Sequence, residues 1–331
     1  MGAGLKRLGV LGTMVWDTIV DRDPAEPPLE EWGGIGYALA GLDAALPDGW
    51  EMVPLIKVGR DLAPRAQEFL AGLSCVAKDA RFVEVPDPNP RVKLFYQSEG
   101  RRCEGLRGGV PPWTWAELGP MVADLDALYV NFITGFEATL DTMQALRRAH
   151  GGPLYGDLHS LSLGIRPNGI RHPRPLEEPL AWLLSFDVVQ LNEDEMGQLG
   201  QQPLALAAAA LARGVRAVVV TLGGRGAVYV ASRITEVLAP GPAPAAPAAP
   251  AAGAAGVTQT ALVPAEGGPV EGDPTGCGDV FGATLLAGLL AGRDLEPAVA
   301  DANRAARRNV SYRGATGLQH YLRGELARAR T

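Results

Sequence analysis

A chain of 331 residues, 47% hydrophobic and 20% charged, has enough apolar surface for one large α/β domain or two smaller ones. Its formal net charge of −7 argues against a general nucleic-acid or acidic-membrane surface and leaves room only for a local basic patch. Cys75, Cys103 and Cys277 are odd in number and far apart, so neither a disulfide framework nor a metal knot is expected, and the setting reads as a reducing cytoplasm.

At the N-terminus, Lys6 and Arg7 precede "LGVLGTMV", which faintly resembles a leader. The run is short, broken by glycine and followed by Trp16 and Asp17 without a cleavage site, so it reads as a first core strand. No segment approaches the roughly 18 consecutive apolar residues of a spanning helix. Short aliphatic and β-branched runs follow at 7–12, 52–59, 127–133, 153–158, 187–192 and 216–223. Helical patterns lie between most of them, at 34–46, 62–72, 137–150, 176–185 and 203–213. Near-continuous apolar strands alternating with helices predict a doubly wound, mostly parallel α/β sheet sandwiched by helices, as a single domain over 1–331.

Two regions break this rhythm. Residues from about 81 to 110 alternate in polarity, with Val92, Leu94 and Tyr96 set against Lys93, Phe95 and Gln97 and turn chemistry at "DPNP" and "SEG". With residues from about 14 to 32 they are expected to form a small antiparallel sheet, suited to a lid or a homodimer surface. The stretch 239–256, "APGPAPAAPAAPAAGAAG", has too few bulky apolar groups to bury and reads as a mobile or polyproline-like surface insertion.

The chemistry concentrates at "EGDPTGCGDVFGATLLAGLLAG", 271–292. Pro274, Gly276 and Gly278 force a tight turn, and 280–291 is apolar on nearly every face, as in a central buried helix. The free N–H groups of its first turn make an anion site suited to phosphates. Taken alone, Asp279 is a helix cap or a partner of the helix dipole. Among ligand-facing glycines, a base that takes a proton from an attacking hydroxyl is the coherent role. Cys277 invites a nucleophile reading, yet no histidine is near in sequence, and a small filler of the turn fits better.

"DPTGCGD" followed by a buried helix resembles the C-terminal signature of the ribokinase-like (PfkB) carbohydrate kinases, usually written with Ala where Cys277 stands. Further likenesses follow in the family's order. They are Gly12 and Asp17 at the opening strand, "GGIGYALAGLDAAL" (33–46), "KVGRD" (57–61), "NEDE" (192–195), "VTLGGRG" (220–226) and "ANRAARRNVSYRGA" (302–315). The resemblance implies transfer of the ATP γ-phosphoryl group to a primary alcohol of a sugar, sugar acid or nucleoside. Asp279 would be the base, with the amides of Gly276, Cys277 and Gly278 as anion hole. Asn192 and Glu195 would serve Mg²⁺ and phosphate, with Glu195 on the metal side, and a monovalent cation is admitted besides. Thr221, Gly223 and Gly226 would line phosphates and ribose, with Asn303 by the adenine. Asp17, Gly33 and Gly34 would hold the sugar, and Asp157 is counted with them as the aspartate after a central strand. The chain departs from the family at Ala38, where an asparagine usually contacts the sugar, and in lacking a clear arginine soon after Asp157.

Other classes fit less well. A nicotinamide-linked oxidoreductase needs a Gly-x-Gly-x-x-Gly turn that neither "GVLGTM" nor "GGIGYA" supplies, and no Gly-x₄-Gly-Lys-Ser/Thr loop occurs. A ligand sensor or scaffold on the same fold would not be expected to keep Asp279, Asn192 and Glu195 together.

Overall fold

The computed structural model describes residues 4–20, 27–96, 102–232, 238, 258–268 and 270–326. The 239–256 stretch and the "SEG" turn lie outside these residues. In chain order, β1 (Lys6–Leu11), β2 (Met14–Ile19) and β3 (Leu29–Gly34) lead into α1 (Ile35–Ala45). Next come β4 (Trp50–Leu55), β5 (Lys57–Gly59), α2 (Ala63–Ala71) and β6 (Val83–Val85). The antiparallel pair β7 (Arg91–Tyr96) and β8 (Arg102–Arg107) precedes α3 (Trp115–Met121), β9 (Ala127–Asn131), α4 (Leu140–Ala149) and β10 (Leu154–Asp157). Then follow β11 (Leu163–Ile165), β12 (Arg171–Pro173), α5 (Pro179–Leu183), β13 (Val188–Asn192), α6 (Glu193–Gly197), α7 (Pro203–Leu211) and β14 (Ala217–Thr221). The described chain closes with β15 (Ala227–Ser232), β16 (Thr258–Val263), α8 (Cys277–Leu290), α9 (Leu295–Asn309) and α10 (Leu318–Arg323).

The main sheet has the order β16-β15-β14-β13-β10-β9-β1-β4. From β14 to β4 every pairing is parallel, and these are the strands expected from the aliphatic runs. All five residues of β9 and all four of β10 are buried, because helices cover both faces. One face packs Leu8, Val10 and Tyr129 against α1, α8 and α9; the other packs Leu11, Leu128 and Val130 against α3, α4, α5 and α7. Close helix packing is set by small residues, with Gly41 against Ala283 and Gly288 against Ala298. No described helix is long and apolar enough to cross a membrane.

Three boundaries differ from the sequence reading. The 52–59 run is two strands: β4 ends at Leu55 on the sheet edge, where Pro54 needs no second partner, and β5 leaves to pair with β6. The sheet is extended past β14 by an antiparallel hairpin to β15 and then by β16. The buried helix starts at Cys277 rather than 280, with Asp279 in its first turn as expected.

The separate small sheet runs β3-β2-β7-β8, two antiparallel pairs joined by a parallel β2–β7 pairing. Val92 and Leu94 are buried while Arg91 and Lys93 face outward, as the alternation predicts. On β2, Trp16 packs edge-to-face on Trp32 at 5.1 Å and carries the Arg65 guanidinium over its ring at 4.7 Å.

Candidate active site

A cleft of about 690 Å³ opens where the C-terminal ends of the parallel strands meet the small sheet. Open α/β sheets bind ligands at such strand ends. The cleft is lined by Asp17, Gly34, Asp157, Asn192, Glu195, Thr221, Gly223, Gly226, Gly276, Cys277, Gly278, Asp279 and Asn303, which is every residue expected to have a site role except Gly33. Gly33 acts from behind: a Cβ there would overlap Asp17 Oδ2, so the glycine lets the Asp17 carboxyl lie against the backbone. Ala38 is buried in α1 and absent from the lining, where its neighbour Tyr37 stands instead.

The turn before α8 is held from outside. Asp273 N donates to Val310 O at 2.9 Å, and the Asn309 amide donates to Thr275 O at 2.8 Å, so the end of α9 cradles the loop. Thr275 N and Oγ1 both donate to Asp273 Oδ1, at 2.9 and 2.5 Å. Gly276 takes φ 76°, the left-handed region, with Tyr37 filling the space a side chain would need. The Cys277 amide donates to Pro274 O at 3.2 Å, whereas those of Gly276 and Gly278 have no backbone partner among the described residues. The Cys277 thiol turns toward α9, near Ala306 O at 3.3 Å and the Asn309 amide at 3.4 Å, which makes it a filler of the turn.

Asp279 is buried at the head of α8, and Asn131 Nδ2, at the end of β9, donates to its Oδ1 at 2.7 Å. Burial raises the Asp279 carboxyl to about 6, against the lowering effects of the His159 charge and the Asn131 hydrogen bond. Gln190 on β13 donates to Asp157 Oδ2 and to Gly278 O, both at 2.9 Å, while Tyr155 Oη donates to Gln190 Oε1 at 2.6 Å. Gly282 is required here, since a Cβ would overlap Gln190 Oε1.

Asp157 groups with His159 and Glu195, each offering one ligand atom within 4.8 Å of the others. His159 follows β10 with φ 23°, an unusual value for a residue with a side chain, and its Nδ1 stands 3.4 Å from Glu195 Oε1. The His159 side chain is 43% exposed, so desolvation opposes its charge only in part, and the Glu195 hydrogen bond and charge, with Asp279 and Asp157 behind it, lift it to about 10. Burial holds Asp157 well above the usual carboxylate range, with the Glu195 and Asp279 charges adding to it and His159 opposing.

The Asn-x-x-Glu pair is a capping box for α6. Asn192 Oδ1 accepts from Glu195 N at 2.9 Å, and Glu195 Oε2 accepts from Asn192 N at 2.8 Å. Asn192 Nδ2 donates to Glu195 Oε1 at 2.6 Å, so the carboxylate is fixed at the cleft wall. Gly226, at φ 100°, closes the β14–β15 hairpin where a Cβ would overlap Val263 O. Asn303 faces the cleft, yet its amide donates to Val263 O at 3.0 Å and ties α9 to β16. Asn131 and Gln190 escaped the sequence reading, and His159 was given no site role there. The available signal was a polar residue inside an apolar strand, "ALYVNFI" and "DVVQLN", because a buried amide must find partners.

Residues 164–320 match the family described as pfkB family carbohydrate kinase. No curated protein sequence matches the chain. Among solved structures, a sulfate complex of a pyrophosphate-dependent kinase in the ribokinase family is 17% identical with TM-score 0.69, over 94% of this chain and 98% of that one. A Burkholderia thailandensis nucleoside kinase in complex with inosine is 18% identical with TM-score 0.68, over 96% and 95%. An Arabidopsis thaliana ribokinase complexed with ribose and ATP is 17% identical with TM-score 0.65, over 97% and 98%. The fold is therefore the ribokinase fold. With the match over 164–320, the resemblance to the ribokinase-like (PfkB) carbohydrate kinases is borne out.

Proposed function

We propose that the chain is an ATP-dependent kinase that moves the γ-phosphoryl group to a primary hydroxyl of a sugar-like acceptor. The observation that carries this reading is Asp279, a buried carboxylate fixed by Asn131 inside the first turn of α8, beside the glycine amides. A carboxyl near 6 is largely ionised at neutral pH yet basic enough to take the acceptor's proton. The Gly276 and Gly278 amides, at the N-terminal end of α8 and on the cleft wall, would receive the charge of the transferring group. Asp17 would hold acceptor hydroxyls and so fix their orientation.

Asp157 and Glu195 supply hard oxygen ligands within 4.8 Å of His159, a donor set that fits Mg²⁺, which would neutralise phosphate charge when bound. The imidazolium of His159 offsets part of the surrounding negative charge before the ion arrives. ATP is favoured over pyrophosphate as donor because the cleft runs on past the glycine turn to Ala265, Asn303, Ala306 and Val310, beyond what two phosphates need. The small sheet would close over the acceptor and keep water from the donor. Three free cysteines suit a reducing cytoplasm.

The experiment is a coupled assay of transfer from ATP and, separately, from pyrophosphate to a panel of sugars, sugar acids and nucleosides. Transfer from ATP that Asp279→Asn abolishes, with donor binding retained, is the expected result. Near-normal turnover in that variant refutes the base assignment, and transfer from pyrophosphate alone refutes the donor.

A further inference from the structure

Two oxygen ligands and one nitrogen ligand converge on one wall of the cleft from three separate elements. Asp157 is the last residue of β10, His159 opens the short turn that follows it, and Glu195 lies in the first turn of α6. All three line the cleft, and one ligand atom of each lies within 4.8 Å of the other two. His159 Nδ1 is 3.4 Å from Glu195 Oε1. Two ligands each about 2.1 Å from one ion and at right angles are about 3 Å apart, so this pair stands near the spacing that coordination needs.

Each member is held from outside the trio. Gln190 Nε2 donates to Asp157 Oδ2 at 2.9 Å, and the backbone and side-chain N–H groups of Asn192 donate to the two Glu195 oxygens at 2.8 and 2.6 Å. His159 is placed by its backbone. Its φ is 23°, its N–H donates to Asp157 Oδ1 at 3.2 Å, and the next amide, Ser160 N, donates to Phe132 O at 2.9 Å. A residue with a side chain keeps such a φ only where its surroundings over-determine it, and here the result is an imidazole set beside two carboxylates. Outer partners of this kind orient metal ligands.

Asp157 and Glu195 alone are the hard oxygen ligands that Mg²⁺ takes, whereas an imidazole nitrogen is a ligand for first-row transition ions. We propose that His159 Nδ1 is a direct ligand, completing an Asp157–His159–Glu195 site that takes Mn²⁺ in preference to Mg²⁺. Mn²⁺ accepts oxygen and nitrogen together and keeps the octahedral geometry in which donor phosphates would fill the remaining positions. As the ion binds, Nδ1 gives it a lone pair and releases any proton it carries to solvent, and the ion takes over the positive charge facing the carboxylates. This rests on the kinase reading for the phosphates and names the ion that serves them.

The test uses the full chain stripped of metal, with neither nucleotide nor acceptor. Free Mn²⁺ is counted by its electron paramagnetic resonance, Mg²⁺ affinity is read by competition, and bound Mn²⁺ is examined by spin-echo envelope modulation for coupling to a ligand nitrogen. A single Mn²⁺ should bind at least about tenfold more tightly than Mg²⁺ and show that coupling. His159→Gln should lose the coupling and at least about tenfold of the Mn²⁺ affinity while binding Mg²⁺ no more weakly. The proposal is overturned if the parent shows no nitrogen coupling, if it holds Mn²⁺ and Mg²⁺ equally, or if the coupling survives in His159→Gln. The first two outcomes are read on the parent chain and need no variant. Nitrogen-ligated Mn²⁺ without phosphoryl transfer to any acceptor would sink the kinase reading alone, whereas transfer supported by an ion with oxygen ligands only would sink this inference alone.

Discussion

Asn131, the last residue of β9, donates its side-chain amide to Asp279 Oδ1 at 2.7 Å, so a strand end of the main sheet holds the carboxylate that opens α8. The two residues are 148 positions apart in the chain. A hydrogen bond to a buried carboxylate both aims it and favours its ionised form. Asn131→Ala is expected to lower kcat by roughly ten- to a hundredfold, the worth of one hydrogen bond to a charged group, with little change in donor KM. It should also move the acid limb of the pH–rate profile upward, which mere loosening of the fold would not do.

The same carboxylate predicts a pH dependence. With Asp279 near 6, kcat should fall about tenfold per pH unit well below that value as the base is protonated. A flat profile between pH 4.5 and 6.5 would remove Asp279 from the role.

Stability should move the opposite way. Because folding raises the Asp279 carboxyl from 3.8 to about 6, its contribution to stability falls as pH rises from about 4 to 6 and stays low above. A shift of this size corresponds to about 3 kcal/mol, so Asp279→Asn should be more stable than the parent at pH 7.5 by up to that amount. The advantage should fade at pH 4, as read from urea unfolding at both pH values.

His159 gives a fourth expectation. Its imidazole is raised to about 10, so the stability it contributes is full below 6.5 and is lost as pH rises toward 10. Replacing it by Gln leaves Asp157, Glu195 and Asp279 without that positive charge. The Asp279 limb of the pH–rate profile should therefore shift upward in His159→Gln, and an unmoved limb would show that the two groups do not communicate.

Gly33→Ala tests the proposed acceptor wall. The new methyl would overlap Asp17 Oδ2 and push the carboxyl off its seat. The acceptor KM should rise by tenfold or more while donor binding, measured separately, stays near the parent value. Equal losses for donor and acceptor would mean that the damage is global.

Cys277→Ala should be nearly silent in catalysis. The thiol contacts Ala306 O and the Asn309 amide, so its loss should leave kcat within about twofold and cost on the order of 1 kcal/mol in packing.

Much of this molecule was legible in the order of its residues. The central strands were visible as apolar runs because a strand covered on both faces must be apolar along its length. The tight turn of "DPTGCGD" and the buried helix after it were visible because glycine placement and all-round hydrophobicity are local properties. Local chemistry also singled out Asp279, whereas Asn192 and Glu195 were named only through the resemblance to the family. Position in the cleft is not local. Asn131 meets Asp279, Gln190 meets Gly278 and Arg171 meets Glu104 across 148, 88 and 67 positions, and only the packing of the sheet against α8 and the small sheet brings them together. The strand break at Ile56 and the antiparallel extension through β15 and β16 were likewise decided by which edges lay free to pair. The sequence by itself determined a doubly wound sheet and the tight glycine turn that opens a buried helix. Tertiary structure alone decided what holds the Asp279 carboxylate, because buried polar groups select partners by proximity in space.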